Sequence, residues 1–197
     1  MWGRFHNRTG TPMPLTLVRH RFTVDDYEQM INFGILTENS GVELIRGEIV
    51  KKSIMSDRHC ASVKRLNRFF SRGVGECAIV SVHNPVRFPD SEPEPDLSVL
   101  RPKADFCAAG KPRAADVLLL IEVSDTSLDQ DRDIKRPLYA QAGIPEYWIL
   151  NLIDDTLEVH RQPQPDGTYK DVQILQRGQQ VEVAALPGVI LTVAEML

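Results

Sequence analysis

Three carboxylic acids border or interrupt apolar strand patterns in this chain: Glu43, Asp96 and Glu122. Glu122 directly follows residues 117–121, a run apolar enough to form a strand buried on both faces. A carboxylate at the end of such a strand must be paired, protonated or bound to a cation, because burial of an isolated charge is costly. Since open α/β sheets bind ligands outside the carboxyl ends of their strands, we expect the chemistry of this protein at that edge.

Each carboxylate alone also has a structural interpretation, since natural cores contain buried acids that are paired. Glu43, for example, could pair with Lys51, Lys52 or an arginine. Two or three carboxylates that converge at one sheet edge beside a lysine would instead suit a hard divalent cation such as Mg²⁺ or Mn²⁺. Such a cation keeps several waters and accepts the oxygen atoms of a substrate phosphate.

The composition restricts the kinds of protein that this chain can be. A chain of 197 residues with 42% hydrophobic and 25% charged residues is typical of one soluble domain with a full core. No apolar run approaches the roughly 20 residues of a membrane helix, and the amino terminus lacks the apolar core of a signal peptide, so we expect a cytoplasmic protein without a membrane partner. The three cysteines are far apart, which argues against a disulfide framework and a structural zinc site. A net charge of -4 argues against a protein that coats nucleic acid by bulk electrostatics.

The coarse pattern predicts a flexible amino-terminal segment, residues 1–20, followed by a single domain, residues 21–197. The first twenty-one residues carry four arginines and no acid, which would also suit a nucleic-acid-binding arm. Turn and cap signals then predict the following elements. They are a helix capped by Thr23 and ending near Phe33, a hairpin over residues 41–55, a helix capped by Asp57 and ending near Arg72, strands at 78–82, 85–88, 97–100 and 117–123, a helix at 131–142 disturbed by Pro137, a strand at 146–150, and a β-meander over 156–193.

The second predicted helix carries two stripes. Val63, Leu66 and Phe70 form an apolar stripe, and Arg65, Arg68 and Arg72 form a basic one. We interpret the basic stripe as a solvated face, with nucleic-acid contact as the alternative.

Pro95 and Asp96 followed by Glu122 resemble the PD-(D/E)XK nuclease signature, in which an aspartate and a glutamate on adjacent strands bind a metal. That signature usually has a lysine two residues after the glutamate, where this chain has Ser124. The chain is more closely similar to the Uma (Uma-two) family of restriction-endonuclease-like proteins. The matching features, in family order, are the segment 43–50, His59, Pro95 and Asp96, the segment 121–124, Asp131, Lys135, Tyr139 and Ala140, the segment 143–148, and the segment 186–188.

The resemblance implies an α/β restriction-endonuclease-like fold, in which a mixed sheet is flanked by helices, with an N-terminal β-hairpin and a β-rich C-terminal part. It implies that Asp96, Glu122 and the Val123 carbonyl hold Mg²⁺ or Mn²⁺, and that Glu43 supports the cation directly or through water. In that family the lysine has moved to the following helix, and Lys135 matches the new position.

The remaining matches have open alternatives. Lys135 would act on the attacking water or the scissile phosphate, or it would be a surface lysine in the first turn of a helix. His59 would contact phosphate or a bound water, or it would be structural. Asp131 would cap the helix and orient Lys135. Tyr139, beside them, would pack in the core with its hydroxyl bonded at the core edge.

The sequence as a whole predicts a metal-dependent endonuclease, a hydrolase of nucleic-acid phosphodiester bonds, with DNA as the expected substrate. Two alternatives remain at this point. One is a DNA-binding or regulatory protein that keeps the fold without cutting, and the other is a phosphoesterase for a small molecule. A homodimer would supply one active site for each strand of a duplex.

Overall fold

The computed structural model describes residues 18–197, so nearly all of the predicted flexible segment lies outside the described residues. The helices are α1 (Val24–Asn32), α2 (Asp57–Gly73), α3 (Leu128–Gln130), α4 (Arg136–Gln141) and α5 (Val193–Met196), with a π-helix at Asp131–Lys135 between α3 and α4. The strands are β1 (Val42–Ile45), β2 (Glu48–Lys51), β3 (Ile79–Val82), β4 (Leu97–Leu100), β5 (Val117–Ser124), β6 (Glu146–Asn151), β7 (Thr156–Pro163), β8 (Tyr169–Leu175), β9 (Gln180–Glu182) and β10 (Ile190–Thr192). Short 3₁₀ turns occur at Glu38–Ser40, Gly75–Cys77 and Ala114–Asp116.

Six strands form the central sheet in the order β3-β4-β5-β6-β7-β8. Strands β5 and β6 are parallel, and the other neighbours are antiparallel. The pairs β1-β2 and β9-β10 form separate two-stranded ribbons. The predicted mixed sheet with flanking helices and an N-terminal hairpin is therefore confirmed. Within residues 18–197, no helix is long and apolar enough to cross a membrane.

The two faces of the sheet have separate cores. On one face the apolar stripe of α2 packs against residues such as Leu97, Ile121 and Trp148, and α5 completes this layer. On the other face α4 and the end of the hairpin pack against Leu120 and Ile149. Because β5 is buried along its whole length between these layers, its carboxyl end is where polar side chains can enter the interior.

The amino-terminal elements follow their local sequence signals. Thr23 caps α1 in a capping box with Asp26, as predicted. The hairpin turns at Arg46 and Gly47, whose φ angles are 49° and 76°. A side chain at position 47 would also place its Cβ 2.8 Å from the Cβ of Arg21, so glycine is required there.

The cap of α2 is Ser56 and not the predicted Asp57. Ser56 has an extended backbone, and its Oγ accepts the His59 N–H at 3.1 Å. Asp57 is the first helical residue, where a carboxylate still interacts favourably with the helix dipole.

The strand predicted at residues 85–88 is wrong. Only a single bridge, between Arg87 and Arg113, forms there. Pro85 and Pro89 flank the segment, and because proline lacks a backbone donor this stretch cannot extend a ladder.

The helix predicted at residues 131–142 begins earlier and is irregular. Helical backbone begins at Leu128, and the Arg136 N–H bonds to the Asp131 carbonyl in the π pattern. Pro137 lies in the first turn of α4, where its missing N–H is tolerated. The predicted β-meander is also only partly right, since β7 and β8 extend the central sheet while β9 and β10 pair only with each other.

Candidate active site

The sheet register brings Asp96 and Glu122 together. Leu97 of β4 is opposite Ile121 of β5 in an antiparallel pair, so the preceding Asp96 lies beside Glu122. The Asp96 N–H donates to Glu122 Oε2 at 3.4 Å. Directly opposite residues of antiparallel strands point to the same face, so both side chains enter one cleft.

Asp96 is held by a backbone donor and two histidines. Its Oδ2 accepts the Val123 N–H at 2.7 Å and lies 3.0 Å from His59 Nε2. Its Oδ1 lies 3.3 Å from His83 Nε2. Burial alone would raise the pKa of Asp96, but the hydrogen bonds with His59 and His83 outweigh burial and hold that pKa well below its usual range. Asp96 is therefore ionised at neutral pH.

Glu122 is buried at the centre of the cleft. Its Oε1 accepts hydrogen bonds from Lys135 Nζ at 3.1 Å and from the Tyr139 hydroxyl at 2.8 Å. Burial raises the pKa of Glu122 well above its usual value; Lys135 opposes this rise, and the neighbouring carboxylates of Asp131 and Asp96 add to it. Negative charge on Glu122 is therefore unfavourable unless a cation lies beside it.

Lys135 bridges two carboxylates on different elements. It comes from the π-helix and is 7% exposed, so it is no surface lysine. Its Nζ lies 3.1 Å from Glu122 Oε1 and 3.4 Å from Glu43 Oε1. Burial alone would lower the pKa of Lys135, but attraction to Glu122 and then to Glu43 outweighs burial and raises that pKa above its usual value. Lys135 is consequently a fixed ammonium ion.

Glu43 lies inside the site and not on its rim. It is 1% exposed, and its Oε2 accepts the Glu94 N–H at 3.1 Å. Lys52, one of its expected partners, instead pairs with the Glu94 side chain at 2.6 Å. The hairpin thus contributes a carboxylate to Lys135 from the far side of the cleft.

Asp131 does not cap a helix, because helical backbone begins before it. Its Oδ2 accepts hydrogen bonds from Ser124 Oγ at 2.7 Å and from Ser127 Oγ at 2.6 Å. Ser124 occupies the position at which the common nuclease signature has its lysine, and here its hydroxyl fixes the helix that carries Lys135.

These side chains line a cleft of about 550 Å³. Six of its lining residues are acidic: Glu43, Glu94, Asp96, Glu122, Asp125 and Asp131. Only two of the lining residues, Lys52 and Lys135, are lysines, and none is an arginine. The cleft therefore favours cations and repels phosphates unless a cation is bound.

The Uma2 family model, described as a putative restriction endonuclease, matches residues 24–194. The chain belongs to the Uma2 family. A crystal structure from Anabaena variabilis, of a protein described as a putative nuclease belonging to DUF820, is similar with a TM-score of 0.69. The identity is 20%, and the match covers 89% of this chain and 97% of that chain, so this likeness confirms the predicted fold. No curated protein matches the chain.

His83 is a residue of this Uma2 protein that the sequence motifs did not single out. It follows β3 directly, and β3 is antiparallel to β4, so the end of β3 must lie beside Asp96. The His83 N–H also donates to the Asp96 carbonyl at 3.3 Å. The available sequence signal was a histidine just after the strand predicted at residues 78–82.

The oxygen donors of the Uma2 cleft suit a hard divalent cation. Glu122 Oε2 has only the long bond from the Asp96 N–H among its described contacts, and burial beside other acids disfavours its charge. No three His, Cys, Asp or Glu side chains within residues 18–197 are already grouped as a ligand set. A cation would therefore replace some of the hydrogen bonds that these carboxylates make at present.

Proposed function

We propose that this Uma2 protein is an endonuclease that uses Mg²⁺ or Mn²⁺ to hydrolyse phosphodiester bonds of DNA. The observation that supports this proposal most directly is the contact of one buried ammonium, Lys135, with Glu122 and Glu43 beside Asp96. This is the constellation that metal-assisted phosphodiester hydrolysis needs, since it combines hard oxygen ligands with a fixed cationic donor.

Asp96, Glu122 and the Val123 carbonyl are the proposed ligands, with Glu43 as a further carboxylate. A divalent cation held by them would polarise the phosphate and lower the pKa of a water molecule. Tyr139 and Lys135 keep Glu122 in one orientation, and His59 and His83 do the same for Asp96. These partners reduce the cost of ordering the carboxylates when a substrate binds.

Lys135 places its positive charge where negative charge develops on the phosphate during the reaction. An ammonium fixed by two carboxylates needs little reorganisation, which is the requirement for electrostatic stabilisation of a transition state. His59 acts through Asp96 in this proposal, because its Nε2 already faces that carboxylate.

The experiment is cleavage of supercoiled plasmid with Mg²⁺ or Mn²⁺ and with EDTA, using the parent protein and two variants. Glu122→Gln removes the buried carboxylate charge, and Glu76→Gln changes an exposed carboxylate outside the cleft. The parent and Glu76→Gln should cut only with the metal, and Glu122→Gln should not cut. Equal nicking by all three proteins would contradict the proposal.

Two other outcomes would favour the alternative functions. If the protein binds DNA but does not cut it, it is a binding or regulatory protein. Metal-dependent hydrolysis of a small phosphodiester without plasmid cutting would indicate a small-molecule phosphoesterase.

A further inference from the structure

The exposed face of α2 carries a row of basic residues. The basic row consists of Lys64, Arg65, Arg68 and Arg72, and all four are exposed. The apolar stripe of the same helix is buried against the sheet, so the row faces solvent on the outer side. Asp57 is the one acidic residue of the helix.

None of these four side chains forms an ion pair with the carboxylates that the structure describes in residues 18–197. Residues 1–17 contain no aspartate or glutamate that could pair with them. Some arginines outside the row do have such partners, since Arg87, Arg132, Arg161 and Arg177 each contact a carboxylate. Among the side chains that the structure describes, the basic row is therefore a concentration of positive charge without ion-pair partners, on a protein with a net charge of -4.

Such a row is unfavourable for the isolated helix. Lys64 and Arg68, and likewise Arg68 and Arg72, are four residues apart, and like charges at that spacing destabilise a helix by about 0.2–0.5 kcal/mol per pair. Only Arg72, in the last turn, interacts favourably with the helix dipole, so helix stability gives no reason for the rest of the row. A polyanion bound along it would relieve the repulsion.

The basic row begins within two turns of the end of α2 that contacts the candidate active site, but it lies on the other side of the helix, about 120–180° around the axis from His59. The amino end of α2 is tied to the cleft through Ser56 Oγ, which donates to Asp125 Oδ2 at 2.6 Å, and through His59, which contacts Asp96. With a rise of about 1.5 Å per residue, Arg65 and Arg72 lie about 9 and 20 Å from His59 along the axis. The row thus leads away from the cleft over a distance comparable to several nucleotides.

Because the cleft is acidic, the protein needs a second surface, outside the cleft, to bind a nucleic acid. Six carboxylates line it, so the electrostatic affinity for a polyanion has to come from outside. We infer that the basic row binds the phosphate backbone of the nucleic acid whose scissile bond lies in the cleft, an inference that rests on the proposed function and adds the substrate-holding surface. Arginine suits this role because its planar guanidinium donates to phosphate oxygens in pairs.

The test compares two double variants that remove the same charge. Arg68→Gln with Arg72→Gln removes two charges from the row, and Arg113→Gln with Lys170→Gln removes two exposed charges elsewhere. Both pairs are made in a Glu122→Gln background so that DNA stays intact in Mg²⁺. Affinity for a labelled duplex is measured by fluorescence anisotropy over a series of salt concentrations, and thermal melts check that each protein is folded.

Each lost phosphate contact should lower the slope of log K against log salt by about 0.9, so the row variant should lose about two units of slope on any duplex sequence. The control pair should keep the parental slope. The inference would be overturned if the slope of log K against log salt were unchanged in the row variant. It would also be overturned if the row bound anionic phospholipid vesicles and not duplex DNA. If the parent protein cuts plasmid with metal but the row variant keeps the parental salt slope, the proposed function stands and the inference about the row fails. If the row variant loses salt slope but the parent protein never cuts, the row binds DNA and the nuclease proposal fails.

Discussion

The Asp96 N–H donates to Glu122 Oε2 across two antiparallel strands, at a distance of 3.4 Å. The two carboxylates are thus brought together by the hydrogen-bonding register of the sheet itself, not by mobile loops. One of them, Asp96, is kept ionised by histidines, while burial disfavours ionisation of the other. A divalent cation bound between the two carboxylates would favour the ionised form of both.

A divalent cation should stabilise the folded protein through Glu122. A ligand at about a hundred times its dissociation constant adds about 2.7 kcal/mol to the free energy of unfolding. Thermal melts with and without millimolar Mn²⁺ should therefore differ for the parent, and the difference should shrink in Glu122→Gln. The exposed-site control Glu76→Gln should behave as the parent; an equal shift in all three proteins would place the metal elsewhere.

Lys135→Ala should lose cleavage by about 10²- to 10⁴-fold, the range typical of one positioned catalytic group. A lysine on the surface of a helix would leave folding intact, but Lys135 is buried between Glu122 and Glu43, so this variant should also lower the melting temperature. Single-turnover assays well below that temperature separate the two effects. Lys170→Ala, at an exposed site on β8, is the control.

Substitution by arginine at the same site gives an independent check of the lysine role. A guanidinium keeps the charge but is planar and bulkier than an ammonium, so Lys135→Arg should rescue cleavage poorly. Full parental cleavage by Lys135→Ala would show that another group acts in its place, whereas full cleavage by Lys135→Arg alone would show that any cation at this position suffices.

Tyr139→Phe and Tyr169→Phe form a matched pair. The Tyr139 hydroxyl donates to Glu122 Oε1, and the Tyr169 hydroxyl donates to the Ile144 carbonyl outside the cleft. Each variant should cost about 1 kcal/mol of stability, because each loses one buried hydrogen bond. Only Tyr139→Phe should weaken Mn²⁺ binding in titrations; equal metal affinity in both would mean that the hydroxyl does not orient Glu122.

Alkaline pH should loosen the attachment of the hairpin. Burial raises the pKa of Tyr27 to about 12, and nearby glutamates add to the rise. Its hydroxyl donates to the Val42 carbonyl, next to Glu43. A tyrosine with a raised folded pKa stabilises the fold fully below its unfolded pKa of about 10, and this contribution is lost as pH rises toward 12.

Chemical denaturation at several pH values checks this expectation. The free energy of unfolding should fall between about pH 10 and pH 12. Tyr27→Phe should show a shallower fall over the same range, and an identical pH dependence in both proteins would assign the effect to other groups.

Local signals predicted the parts of the site that lie on regular strands. The apolar run that ends at Glu122 and the short strand after Asp96 have clear patterns, and the turn at Gly47 requires positive φ angles. Family resemblance then supplied Lys135, which composition and spacing alone did not distinguish from a surface lysine.

The irregular helix and the burial of Glu43 depend on tertiary contacts, so the sequence pattern did not show them. The π-helix is tied to β7 by the contact of Arg132 with Glu158, and the Tyr147 hydroxyl donates to the Asp131 carbonyl at 3.3 Å. Glu43 is enclosed by side chains that are distant in sequence, since Lys135 of the π-helix and Gln130 of α3 both approach it.

Because Lys135 reaches Glu122 from the helix, the number of residues between the carboxylate and the ammonium is no longer fixed by strand geometry. A connecting segment tolerates insertions and deletions that a buried strand does not. Sequence searches that demand a lysine two positions after the glutamate will pass over chains built in this way. A search pattern that allows serine there, and a lysine at variable distance on the next helix, would retrieve them.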